Sequence, residues 1–109
     1  LHDRPLSIGF ANLSALLMGA GIAYDSAEGR AVAGLVSALV SGSAHEASAC
    51  IADTIGAFDG YGAVAKSYLN VLKGRIATLS GGGGPRSLTR RPVQLQMALS
   101  PDTDLADAV

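Results

Sequence analysis

Tyr24-Asp25-Ser26-Ala27-Glu28-Gly29-Arg30, running into Ala31-Val32-Ala33-Gly34-Leu35-Val36-Ser37-Ala38-Leu39-Val40, decides the fold class of this 109-residue chain. The first amides of a helix have no partner within it, so a short polar side chain ahead of an apolar run marks a start. Asp25 is expected to accept from the amide three residues on. Glu28 is expected to reach back to the Asp25 amide as in a capping box, although that motif prefers Ser or Thr in first place. Both acids suit the positive end of the helix dipole. The predicted helix continues past Gly42 to about Ile55 and is apolar on most sides over its first half, which makes it the central element. Gly34, Ala38 and Gly42, at four-residue spacing, form a shallow groove that a second helix can approach. In a membrane the same spacing is a dimer face. The polar continuation His45-Glu46-Ala47-Ser48 favours packing inside a soluble bundle instead.

Upstream, a first helix is predicted over Ser7–Met18. Pro5 lies outside it, Ser7 serves as cap, and Phe10, Leu13 and Leu17 share a face that Leu16 widens. Gly19 and Gly21 end it by permitting left-handed backbone. Downstream, Gly56–Gly62 reads as a loop pinned by Phe58 and Tyr61. A third helix follows over about Ala63–Leu79, with Val64, Leu69, Leu72, Ile76 and Leu79 inward and Lys66, Asn70, Lys73 and Arg75 outward. Ser80–Pro85 has the make-up of a Gly-rich linker. Beyond it lie a basic stretch with Arg86, Arg90 and Arg91, a possible brief strand at Val93–Met97, and an acidic end from Pro101 with helical tendency. The expected fold is all-α: a small three-helix bundle over 1–79, a linker at 80–85, and a tail over 86–109 that is partly disordered or a short helix.

Hydrophobic residues make up 49% of the chain and charged residues 16%, which supplies a core and argues against disorder. With no Trp, two Phe and 14 Gly, that core must be built from small aliphatic side chains, and modest stability follows. A net charge of −1 gives no general attraction to nucleic acid or to an anionic membrane. The single Cys50 excludes an internal disulfide, and with two distant histidines a closed zinc site is not expected. Leu6–Tyr24 carries no charge over 19 positions, which mimics a leader or a span. Ser7, Gly9, Asn12 and Ser14 interrupt it where such a segment is most apolar, so a buried helix is the better reading.

Arg4-Pro5-Leu6-Ser7-Ile8-Gly9-Phe10-Ala11-Asn12-Leu13-Ser14-Ala15-Leu16-Leu17-Met18, together with Tyr24–Arg30, resembles one internal stretch of the large subunit of ribonucleotide reductases. The similarity is greatest to the adenosylcobalamin-dependent class. Gly42, Ala44, Ser48-Ala49 and Gly56-Ala57-Phe58-Asp59-Gly60-Tyr61 agree with later family landmarks. The resemblance covers about residues 4–79, and from Ser80 onward none is evident. It implies a cytoplasmic oxidoreductase of deoxyribonucleotide biosynthesis, with adenosylcobalamin as the cofactor of the full-length family. In such enzymes a thiyl radical on a cysteine abstracts a ribose hydrogen and two further cysteines reduce the substrate. The family's N-P-C-x-E and A-P-T-G-T motifs are missing here, so no catalytic, cofactor-binding or metal-binding residue is carried over. The matched positions are expected to be structural: Asn12 bonding a neighbouring backbone, Tyr24 and Asp25 shaping the turn, Glu28 at the helix start, and Arg30 pairing with an acid.

The remaining residues give bland readings. Cys50 and His45 are five apart and share no helix face well, so Cys50 is expected in the core. His45-Glu46 lacks the second histidine of H-E-x-x-H. Gly81–Gly84 is not followed by the Lys-Ser/Thr of a phosphate loop. No aromatic residues interleave the arginines to stack bases. The chain is therefore expected to be a structural segment of a reductase, inactive alone, whose partner is the remainder of that enzyme. The alternative is a stand-alone helical interaction module, associating with itself through an apolar face.

Overall fold

The computed structural model describes residues 3–80, so the expected linker beyond Ser80, the basic stretch, the expected strand at Val93–Met97 and the acidic end lie outside the described residues. The fold is all-α: α1 (Leu13–Gly19), α2 (Ala27–Ile55) and α3 (Tyr61–Leu79), with no strand among the described residues. Two compact units divide them. One comprises residues 7–46, with α1 and most of α2; the other comprises residues 3–6 and 47–80, with the end of α2 and all of α3.

In the first unit, α1 begins at Leu13 rather than at Ser7. Asn12 adopts left-handed backbone (φ 64°, ψ 20°), through which a right-handed helix cannot run. Asn tolerates that region better than other residues with a side chain. Ser7 is therefore no cap, and Phe10 lies outside the helix and is exposed. The end of α1 follows the expected chemistry at Gly21 but not at Gly19, which is the last residue of the helix and has no positive φ. Gly21 has φ +70°, its amide donates to the Met18 carbonyl at 3.1 Å, and the Ile22 amide donates to the Leu17 carbonyl at 2.8 Å. These are the two bonds of a Schellman motif, which satisfy carbonyls the helix leaves unpaired.

The core of this unit is four side chains: Leu17, Ala31, Val32 and Leu35. Leu17 and Leu35 are the fully buried large ones. The three from α2 fall at spacings of one, three and four, one side of the first helical turns, so α2 is covered on one side there and is not the centrally buried element that its apolar first half suggests. The serines and threonines of α2 and α3 cost little in these apolar helices because several bond back to their own turn. Ser37 donates to the Ala33 carbonyl (2.8 Å), Thr54 to Cys50 (3.1 Å) and Thr78 to Gly74 (2.9 Å). In the expected groove of α2, Gly34 and Ala38 are half-buried but Gly42 is exposed, with open space where a side chain would stand.

The second unit is thinner. α2 stops at Gly56, which has φ +84° and whose amide donates to the Ala52 carbonyl at 2.8 Å. The Arg4 guanidinium then donates to the Gly56 carbonyl at 2.8 Å, tying the start of the chain to this helix end. A cation suits that end of the dipole. α3 starts at Tyr61, two residues before the expected Ala63. Only Leu72 and Leu79 of its five expected inward residues are half-buried; Val64 (44%), Leu69 (44%) and Ile76 (62%) are exposed. The apolar pattern is present, but the described residues supply too little surface to cover it.

Candidate functional site

Two segments carry the residues singled out by sequence: the turn that opens α2 and the loop that opens α3. The first is built by backbone. The Ser26 amide donates to the Ala23 carbonyl at 3.1 Å, closing a turn that leads into α2. The cap is Ser26, not Asp25: the Gly29 amide donates to Ser26 Oγ at 2.9 Å. With Ser26 as cap, Glu28 stands at the second helical position rather than the third. The expected reciprocal bond to Asp25 has no place, and Glu28 remains an exposed acid in the first turn. Asp25 faces outward. Its Oδ1 accepts from the Arg30 guanidinium at 3.2 Å, in a pair whose side chains are 66% and 101% exposed. Tyr24 is 67% exposed. Asn12 makes no side-chain capping bond to α1, and its contribution there is its backbone conformation.

Gly29 is the residue that sequence reasoning missed. A Cβ there would stand 2.8 Å from the Ala23 carbonyl oxygen, 3.0 Å from that of Tyr24 and 3.3 Å from Ser26 Oγ. The first turn of α2 is folded so closely onto the preceding loop that only hydrogen fits. The signal available in the sequence was the glycine itself, placed three residues after a hydroxyl cap, where helix propensity alone disfavours it.

The second segment is aromatic. Phe58 and Tyr61 are half-buried, as their anchoring role requires, and their rings meet edge to face at 5.6 Å and 81°. Tyr68, one turn-pair along α3, extends the contact to Tyr61 at 6.2 Å and 78°. Such pairs contribute about 0.5–1.5 kcal/mol beyond the area they bury. The Tyr61 amide also donates to the Phe58 carbonyl at 2.9 Å, so the ring pair and the backbone turn support one geometry.

The remaining chemistry-bearing residues are not brought together. Cys50 is exposed rather than in the core, so the expectation of a core cysteine is corrected: the last part of α2 lacks the cover its first part has. His45 Nδ1 donates to the Ser41 carbonyl at 2.6 Å, which engages that ring nitrogen within its own helix. No group of three or more His, Cys, Asp or Glu is arranged to hold a metal among the described residues. No buried side-chain nitrogen or oxygen lacks a partner there. By length and composition α2 could cross a membrane, a test that core helices of soluble proteins also pass.

No solved structure is significantly similar. A vitamin B12-dependent ribonucleotide reductase of Streptomyces coelicolor is 50% identical over 70 residues, 64% of this chain and 7% of its own length. The reductases of the same name from Bradyrhizobium diazoefficiens and Agrobacterium fabrum are 39% and 38% identical over 103 residues, 94% of this chain and 8% of theirs. The chain thus spans less than a tenth of the length of these relatives. The two longer alignments leave six residues of the chain outside, so they enter the region beyond Ser80. The expectation that this region bears no likeness to the family is thereby corrected. The family model for the ribonucleotide reductase barrel domain matches residues 1–81, and the chain belongs to that family, alongside its vitamin B12-dependent members.

Proposed function

We propose that this chain is a helical, non-catalytic part of an adenosylcobalamin-dependent ribonucleoside-diphosphate reductase, buttressing a larger cytoplasmic enzyme that makes deoxyribonucleotides. The observation that carries the reading is the alignment of 103 residues, nearly the whole chain, with 8% of a vitamin B12-dependent reductase. The cofactor belongs in this proposal to the complete enzyme. What these residues do is structural. Ser26 and Gly29 set the entry angle of α2, Arg4 closes its far end, and Phe58, Tyr61 and Tyr68 fix the start of α3.

The partner in this reading is the remainder of the reductase. Thirteen large apolar side chains are exposed among the described residues, including Leu6 (72%), Met18 (71%), Ile55 (70%) and Ile76 (62%). Apolar surface left open on this scale favours association. The purified chain, given adenosylcobalamin, a dithiol and a ribonucleoside diphosphate, is expected to form no deoxyribonucleotide above a cofactor-only control. Sustained turnover, or tight binding of corrinoid or nucleotide by the chain alone, would overturn the proposal.

The same exposed surface supports a second reading: a helical interaction module that associates with itself. Light scattering separates the two. A concentration-dependent dimer of defined mass favours the module. A monomer that binds an apolar dye strongly is expected of a surface built for a larger body.

A further inference from the structure

We draw no further inference here: the strongest candidate, the exposed apolar stripe of α3 formed by Val64, Tyr68 and Val71, belongs to the surface already assigned to the rest of the reductase, and nothing in the structure shows what else covers it.

Discussion

The unit of residues 7–46 and the unit of residues 3–6 and 47–80 are built from similar material but bury it differently. The first closes Leu17, Ala31, Val32 and Leu35 away from solvent. In the second the only buried positions are Gly60 and Gly74, while Ile51, Ile55, Val64, Leu69, Val71 and Ile76 stay exposed. One helix, α2, runs through both, so the contrast does not come from helix propensity. It comes from whether a second apolar surface lies within reach. The first unit buries four apolar side chains; the second has backbone devices, an Arg4 clasp and a row of aromatic edges. Helical order and burial are therefore separable in this chain, and each can be attacked alone.

The largest effect is expected at Leu35, which is fully buried. Leu35→Ala removes a core side chain and leaves a cavity, a loss of about 2–5 kcal/mol. In a core of four side chains that is a large part of the stability available, so helical circular dichroism should fall and the denaturant midpoint should drop sharply. An unchanged midpoint would mean that the first unit has no core of its own, and the contrast would vanish.

Gly29→Ala is next. Propensity alone says that Ala should stabilise a helix relative to Gly by about 1 kcal/mol. The contacts of 2.8 and 3.0 Å to backbone oxygens oppose this, because neither carbonyl can rotate away as a side chain could. We expect destabilisation of about 1–3 kcal/mol, the usual range for overpacking. The sign of the measured change decides between the two effects.

Ser26→Ala should cost about 1 kcal/mol through the lost cap. Asp25→Ala should leave thermal stability unchanged, since its ion pair with Arg30 lies in solvent and is screened. If the two variants exchanged behaviour, the cap would belong to Asp25 after all.

What the sequence disclosed follows the same division. Local chemistry was legible: the apolar run after a capping segment, the left-handed glycine that closes α1, the aromatic anchors before α3. Each depends on a few neighbouring residues whose side chains act within one turn. The choice between Asp25 and Ser26 was not legible, because adjacent residues can both cap and only the backbone path selects one. The start of α1 at Leu13 is not legible, because Asn is found both in helices and in left-handed backbone, and the φ of 64° at Asn12 is not encoded in spacing. The apolar positions of α3 were found correctly as a pattern but placed inward. Periodicity says which face avoids water and says nothing about where the covering surface comes from. Cys50 fell to the same error on α2. The family was legible from its motifs, whereas the extension of the likeness beyond Ser80 emerges only from the longer alignments.

A similarly small effect on stability, and the sharpest test of what the exposed face is for, is expected at Ile55 and Ile76, 70% and 62% exposed. Ile76→Gln keeps a good helix former at its position, and Ile55→Gln alters the last residue of α2 without touching the Gly56 turn. Neither removes a buried group, so each should change the unfolding free energy by no more than about 0.5 kcal/mol. Both should lower dye binding and any association seen by light scattering. Suppose instead that the double variant loses stability, and loses more at high protein concentration than at low. A second copy would then be burying these residues, since a partner that binds only the folded state stabilises it by mass action. The second unit would owe its order to self-association, and the buttress reading would give way to the interaction module.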